Sequence, residues 1–108
     1  MPLYMTQFSY IPEAWAALVD NPEDRSVPVR GLTEAMGGRL VSWYLSMGDY
    51  DGLVIYKTPD DATAGATVLD AARRGHLRAT ETTPLFTAEE AVDIMRRAGG
   101  TPFRAPGQ

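Results

Sequence analysis

Two runs of strand-forming residues around a short polar turn constrain the fold of this chain more than any other feature. The first run is Leu40 to Leu45, and the second is Leu53 to Tyr56. Between them lies Met47-Gly48-Asp49-Tyr50-Asp51, where glycine and aspartate are typical turn residues. The pattern predicts an antiparallel hairpin. A tyrosine between two carboxylates is more than a turn requires, and loops on a rigid sheet often carry binding residues.

Periodicity and capping signals elsewhere predict three further helical regions and two further strands around this hairpin, in the order β-α-β-β-α-β-α. The first crossover is expected in two helical pieces, because Asn21-Pro22 interrupts it. In the last helix, Val92, Met95 and Ala98 are predicted to point inward. The predicted strands are Leu3 to Tyr10, Arg39 to Met47, Leu53 to Thr58 and His76 to Thr83. The predicted helices are Pro12 to Val19, Ser26 to Met36, Ala62 to Arg74, and one opened by a capping box from Thr87 to Glu90.

This order predicts an α+β fold, a ferredoxin-like plait whose four-stranded antiparallel sheet carries helices on one face. Simple alternation along the second strand places Val41, Trp43 and Leu45 on one side, and Leu40 and Tyr44 on the other. Both sides are then apolar, and only one can meet the chain's own helices. A second copy packed on the sheet face is the natural cover, so we predict a homodimer or higher oligomer.

Composition narrows the classes of function. The 108 residues fit one domain, expected over residues 1–98, followed by an extended tail over residues 99–108. There is no cysteine and a single histidine, so neither a metal site nor another cofactor is expected. A net charge of −4 without a basic stripe argues against nucleic-acid binding. No apolar run is long enough for a membrane span, and no signal peptide is evident, so a cytoplasmic location is expected.

An ordered set of short motifs carries a resemblance to a known family. The central one is Gly48-Asp49-Tyr50-Asp51, which fits a Gly-x-Tyr-Asp signature. The others run along the chain: Met1-Pro2 with Tyr4, Gly37 to Leu40, Trp43-Tyr44, Pro59-Asp60, Thr82 to Leu85, and Thr87 to Glu90. The chain resembles the GYD-domain family. The resemblance implies a small cytoplasmic bacterial protein of dimeric α/β barrel type, and it brings no agreed catalytic residues. Gly52 and the segment Arg25 to Pro28 depart from the family pattern.

Two residues are candidates for catalysis, His76 and Asp51, and each also has a simple structural interpretation. His76 directly follows Gly75, which is predicted to end a helix, and a residue at such a position is often simply part-exposed to solvent. The aspartates of the signature are often only turn formers with solvated charges. The candidate ligand-binding or interface residues are Trp43, Tyr44, Gly48, Asp49, Tyr50 and Asp51. For the aromatic members, ordinary core and interface packing is the competing interpretation.

The fold and aromatic content favour a small homodimeric domain that binds a small, partly apolar metabolite between sheet and helices. Two alternatives stay open. One is a cofactor-free enzyme of the dimeric α/β barrel type, resembling a monooxygenase or an isomerase, with His76 or Asp51 as base. The other is a structural or interaction domain whose aromatic residues serve assembly alone.

Overall fold

A computed structural model describes residues 1–108, with four strands and four helices. The predicted element types and their order are confirmed, with most ends shifted by one or two residues. No helix is both long and apolar enough to cross a membrane. Residues 100–108 form neither helix nor strand. The elements are β1 (Leu3–Tyr10), α1 (Pro12–Asp20), α2 (Ser26–Ala35), β2 (Arg39–Leu45), β3 (Gly52–Lys57), α3 (Asp61–Ala72), β4 (Leu77–Leu85) and α4 (Ala88–Gly99).

The four strands form one antiparallel sheet in the order β2-β3-β1-β4. This order is that of a ferredoxin-like plait, as predicted, with two crossovers that each carry helices. The central strand β1 pairs with β3 on one side and β4 on the other, so that Tyr4 lies between Tyr56 and Pro84. Pro84 cannot donate to a ladder, and it lies in an edge strand, where that loss is tolerated.

The helices α1, α2 and α3 pack on one side of the sheet, which we call the covered face. Tyr4 and Tyr56 are each only 2% exposed there, and their ring centroids lie 5.8 Å apart. Phe8 and Trp43 extend this aromatic layer, with centroids 6.0 Å apart. Strand alternation and cross-strand pairing assign these residues to the covered face: Tyr4, Thr6, Phe8, Tyr10, Leu40, Trp43, Val54 and Tyr56.

A β-bulge at Val41 interrupts the pairing of β2 with β3. Leu40 is opposite Tyr56, but Ser42 rather than Val41 is opposite Ile55. The extra residue reverses the alternation, because a one-residue slip moves every later side chain to the other side of the sheet. Leu40 and Trp43 therefore share the covered face. The prediction that they lie on opposite sides is wrong.

The opposite side of the sheet, which we call the open face, has no helix from α1, α2 or α3 on it. Its most apolar part is formed by Met5 and Ile55, which are opposite each other, and by Leu53 and Tyr44 in the neighbouring pair. Met5, Leu53 and Ile55 are half-buried, whereas Tyr44 is 57% exposed. The apolar content predicted for this side is present. In the single chain it meets solvent.

The last helix, α4, stands apart from the rest of the chain. Its capping box is confirmed, because the Thr87 hydroxyl accepts from the Glu90 N–H at 3.1 Å and the Glu90 carboxylate accepts from the Thr87 N–H at 3.0 Å. The prediction that Val92, Met95 and Ala98 point inward is wrong: no residue of α4 is buried, and Met95 is 68% exposed. Periodicity reports that one side of a helix is apolar, not what covers it.

The overall dimensions reflect this projecting helix. The chain measures 61 × 32 × 22 Å, with a radius of gyration of 17.6 Å. A compact domain of this length would have a radius of gyration of about 13 Å. The chain therefore has a compact sheet-and-helix body with an unpacked amphipathic helix at one end.

Candidate functional site

A mostly apolar cavity of about 80 Å³ lies between the covered face and the helices α2 and α3. From the sheet, Phe8, Trp43 and Tyr56 contribute aromatic walls. From α2, Val29 and Leu32 contribute aliphatic walls. We call this space the inner cavity. A space of this kind between sheet and helices is the usual location for a small ligand.

Short side chains on α3 explain why the aromatic layer does not fill this space. The helix begins at an N-cap, Asp60, whose carboxylate accepts from the Thr63 N–H at 2.8 Å. One helical turn and two helical turns further on, Thr67 and Ala71 line the inner cavity. Residues this small leave room opposite large rings. The alanine-rich composition of α3 thus supports both the helix and the cavity beneath it.

The hydroxyl groups of Thr6, Tyr56 and Thr67, which line the inner cavity, already have hydrogen-bond partners within the chain. Thr6 and Tyr56 share a hydrogen bond of 2.8 Å between their hydroxyls, and Thr6 makes another with Thr82 at 2.9 Å. The Thr67 hydroxyl donates to the Thr63 carbonyl at 2.8 Å. Burial raises the pKa of Tyr56 above its usual value, although Thr6 opposes this. The deep wall is therefore neutral, and suited to an apolar group.

Polar and charged residues gather where the inner cavity opens. Arg25 and His76 line the inner cavity and also a second, more open space of about 350 Å³, which we call the vestibule. Asp70 and Arg74 line the vestibule alone. Burial, and then the Arg25 charge, lower the pKa of His76. The imidazole therefore favours its neutral form at the opening.

The backbone holds this histidine in place. The His76 carbonyl accepts from the Ile11 N–H at 3.0 Å, which joins the start of β4 to the end of β1. The His76 ring lies beside the Tyr10 ring, with centroids 6.1 Å apart. The Arg25 guanidinium faces the Tyr10 hydroxyl, whose pKa is nevertheless raised because burial outweighs that charge. Arg25, Tyr10 and His76 thus form one polar rim.

Within the Gly-x-Tyr-Asp signature, Asp51 makes hydrogen bonds to three residues of β1 and α1, through its side chain and its backbone. Its Oδ2 accepts from the Tyr10 N–H at 2.9 Å and from the Trp15 indole Nε1–H at 3.0 Å. Its own N–H donates to the Phe8 carbonyl at 2.8 Å. Asp51 therefore fastens the hairpin to the end of β1 and to α1. It lies next to the polar rim through Tyr10, and it does not line the inner cavity.

The other signature residues lie on the hairpin and away from the inner cavity. Gly48 and Asp49 are exposed, and Gly48 does not have the positive φ that would require glycine. Tyr50 is half-buried, and its hydroxyl is close to the Glu81 carboxylate of β4. Burial and that negative charge raise the pKa of Tyr50. Since Glu81 is opposite Gln7 on the open face, Tyr50 lies over the rim of that face.

The structure thus divides the predicted site residues between two regions. Trp43 and His76 line the inner cavity, whereas Tyr44 lies on the open face and Tyr50 borders it. Sequence reasoning missed Arg25 and Tyr10. The one available signal for Arg25 was its position at the start of the segment that departs from the family pattern.

The second departure, Gly52, has a steric explanation. A Cβ atom on Gly52 would lie 2.5 Å from the Phe8 Cζ and 2.9 Å from the Tyr44 carbonyl oxygen. Glycine therefore lets the Phe8 ring lie close against the backbone of β3. That ring is a wall of the inner cavity, so the absence of a side chain at Gly52 shapes the site.

The structure has no cluster of side chains suited to bind a metal ion. No group of three or more histidine, aspartate or glutamate side chains is arranged to hold a metal ion. His76 shares the opening with two arginines, Arg25 and Arg74, and with one carboxylate, Asp70. Arg74 donates to Asp70 at 3.4 Å. The arrangement can bind an anion or an amphiphilic molecule by charge, hydrogen bonds and apolar contact.

Together these features define a small ferredoxin-like domain with an apolar cavity under its helices. The GYD domain family model matches residues 4–95, and the chain belongs to this family. The resemblance drawn from the sequence motifs is confirmed. A solved structure, the crystal structure of FFRP-DM1, is similar with a TM-score of 0.50 and 15% identity, covering 80% of this chain and 100% of that chain. At this identity the likeness shows the fold alone. No curated protein matches the chain.

Proposed function

We propose that the chain is a small-molecule binding domain that works as a homodimer. The observation that carries the binding role is the inner cavity, whose deep wall is apolar and whose opening carries Arg25 and His76. Ligand sites typically combine an apolar lining with a few polar groups that fix orientation. Residues 1–98 would form the binding domain, and residues 99–108 would follow it as a tail.

The binding role is tested by filling the cavity. Val29 lines it, whereas Val27 on the same helix is 61% exposed and lines neither space. The purified protein is screened by ligand-observed NMR against a mixture of small apolar and amphiphilic metabolites. We expect hits with the wild type and with Val27→Phe, and loss of those hits with Val29→Phe. Ligands that bind Val29→Phe undiminished, or no ligand for the wild type, would contradict the proposal.

The dimer rests on a different observation, the apolar open face. Met5, Leu53 and Ile55 lie side by side there without a helix over them. Full burial of an exposed aliphatic side chain contributes about 1.5–3 kcal/mol, and these half-buried side chains would gain part of that each, so a partner surface is favourable. The apolar side of α4, which includes Val92 and Met95, provides further area that the chain leaves uncovered. A second copy presents the same surfaces, as a two-fold interface requires.

Light scattering at micromolar concentrations tests the dimer. Ile55→Glu would place an unpaired carboxylate in the interface, and we expect it to be monomeric. Val27→Glu on the outside of α2 is the matched control, which we expect to stay dimeric. A monomeric wild type, or an Ile55→Glu dimer as stable as that of the wild type, would refute the interface.

One observation favours a second function, a cofactor-free enzyme. His76 is neutral by preference and lines an apolar cavity, which suits a base that removes a proton from a bound substrate. On this interpretation His76→Gln would keep ligand binding but lower turnover by about 10²–10⁴-fold. If His76→Gln loses binding and turnover together, His76 holds the ligand and is not the base, whereas a wild type without turnover would contradict the enzyme function.

A further inference from the structure

The inner cavity and the vestibule adjoin, and they form two different halves of the candidate site. They share Arg25, Val29, Leu32, Ala71 and His76 in their linings, so these residues lie at the passage where the two spaces meet. The inner half is deep and apolar. The outer half adds Asp70 and Arg74 and faces solvent. A molecule that occupies both halves must itself have an apolar end and a polar end.

The size of the inner half limits the apolar end. At about 80 Å³ it is roughly half the volume of an engineered apolar cavity, near 150 Å³, that is known to bind benzene. It therefore suits a group of about three or four carbons rather than an aromatic ring. No free hydroxyl reaches into it from Thr6 or Thr67, because both are engaged within the chain. A polar group placed there would lose its hydration without a new partner.

The charged side chains at the passage, Arg25 above all, determine which polar head group a ligand can carry there. Arg25 is only 25% exposed, and a guanidinium has five N–H donors in a planar fork. One of its nitrogens donates to Glu23 at 2.9 Å, but that carboxylate is 53% exposed. An exposed ion pair of this kind is weak, and an incoming anion can share or replace it.

His76 adds a neutral imidazole N–H beside Arg25. On the vestibule side, Asp70 is held by both Arg73 at 2.8 Å and Arg74 at 3.4 Å, so its negative charge is compensated. A carboxylate matches this set, because it accepts charge-assisted hydrogen bonds from a guanidinium in a fork-like geometry.

We infer that this site takes a short aliphatic carboxylate, with its alkyl group in the inner cavity and its carboxylate between Arg25 and His76. The inference rests on the proposed binding function and names the class of ligand. Arg25 is then the residue that selects charge, and the small volume above Val29 and Leu32 is the feature that selects chain length.

Isovalerate and its uncharged counterpart isovaleramide test the inference on the intact protein. Both have the same branched alkyl group, so they differ only in the head that meets Arg25. Chemical-shift titration should show isovalerate binding at least about tenfold more tightly, since hydrogen bonds to charged groups contribute more than neutral ones. Arg25→Gln should remove that preference, because it should weaken isovalerate binding much more than isovaleramide binding. Arg30→Gln changes an exposed arginine of α2 that lines neither space, and it should leave both affinities unchanged.

The outcomes separate this inference from the proposed function. Equal affinity for acid and amide, or an isovalerate affinity unchanged by Arg25→Gln, would overturn the carboxylate inference alone. Binding of larger aromatic probes but not of isovalerate would do the same. If xenon, isovalerate, isovaleramide and the larger aromatic probes all fail to perturb the cavity residues, the binding function itself is wrong. His76→Gln provides a second variant if Arg25→Gln does not fold, with a smaller loss of the same preference expected.

Discussion

The covered face carries Tyr56, which is 2% exposed, whereas the open face carries Tyr44, which is 57% exposed, although the two strands that hold them are neighbours. Hydroxyl partners, ring neighbours and helices surround Tyr56. Tyr44 has none of these within the chain. On one face the chain completes its own core. On the other its apolar surface is left uncovered by the chain. Stability of the single chain and assembly are therefore expected to respond to different substitutions.

The largest effect is expected from Tyr56→Ala. Truncation of a buried aromatic residue destabilises a protein by about 3–5 kcal/mol, because transfer free energy is lost and a cavity remains. Urea unfolding followed by circular dichroism measures the change. The loss should not depend on protein concentration if it belongs to the single chain.

Tyr44→Ala is the matched change on the open face. We expect a smaller loss, and one that grows as the dimer population grows with protein concentration. If the two variants lose the same free energy of unfolding at low protein concentration, the two faces contribute equally to the stability of the single chain, and the comparison fails.

Asp51→Ala should have the next largest effect. It removes the acceptor of the Tyr10 N–H and the Trp15 indole N–H, and an unsatisfied buried donor costs about 1–3 kcal/mol. Asp49→Ala in the same hairpin is the control, expected within about 0.5 kcal/mol of the wild type because that residue is exposed. Thermal melts of both variants decide the matter. Asp49→Ala as the more damaging change would show that the contacts of Asp51 do not hold the hairpin.

Gly52→Ala is expected to destabilise the chain by about 1–3 kcal/mol through overpacking. The new Cβ would lie 2.5 Å from the Phe8 ring, and the ring must move within a packed wall. Gly48→Ala meets nothing within 4 Å and needs no unusual backbone angle, so it should be neutral or slightly stabilising. Fluorescence-monitored unfolding compares the two. If Gly52→Ala leaves the stability unchanged, the covered face has enough unfilled space beside Phe8 to accept a methyl group.

The smallest expected effect is on the pH dependence of the free energy of unfolding. The pKa of His76 in the folded chain lies below its usual value of 6.5, so the unfolded chain binds a proton at higher pH than the folded chain does. Stability from this group is then fully present above about pH 6.5 and falls as the pH drops towards the lowered pKa. The charged and titratable groups around it are Arg25, Tyr10, Asp70 and Arg74.

The measurement is the free energy of unfolding of wild type and His76→Gln at about pH 7.5 and about pH 5.5. The wild type should lose more stability between these two values than the variant does. An identical pH dependence would indicate that His76 is as well solvated in the folded chain as in the unfolded chain.

Local signals explain the part of the fold that could be predicted from sequence. The Asp60 N-cap and the capping box at Thr87 each mark the start of a helix within one residue. Such signals act over one helical turn or one hairpin, and a single sequence displays them. They fix the order of elements, and the ferredoxin-like plait follows from that order with few alternatives.

The inner cavity could not be predicted in the same way, because it depends on long-range placement. Arg25 and His76 are far apart in the chain, and they meet only after α2 and β4 have docked on the sheet. Neither residue has a local pattern that marks it as a rim residue. Trp43 was a candidate for its size, yet the face it occupies follows from the partner strand β3 and not from β2.

The bulge at Val41 has a practical meaning for anyone who redesigns the hairpin. Because of this extra residue, each side chain from Ser42 to Leu45 faces the side of the sheet opposite to the one that simple alternation from Leu40 predicts. Deletion of Val41 alone would keep Leu40 opposite Tyr56 and Trp43 opposite Val54, so β2 would become a regular strand with Trp43 still on the covered face. If Val41 were instead kept and paired with Ile55 in a regular ladder, Trp43 would turn outward and Tyr44 inward. A redesigned hairpin therefore keeps its cavity wall only if the extra residue is either left unpaired or removed.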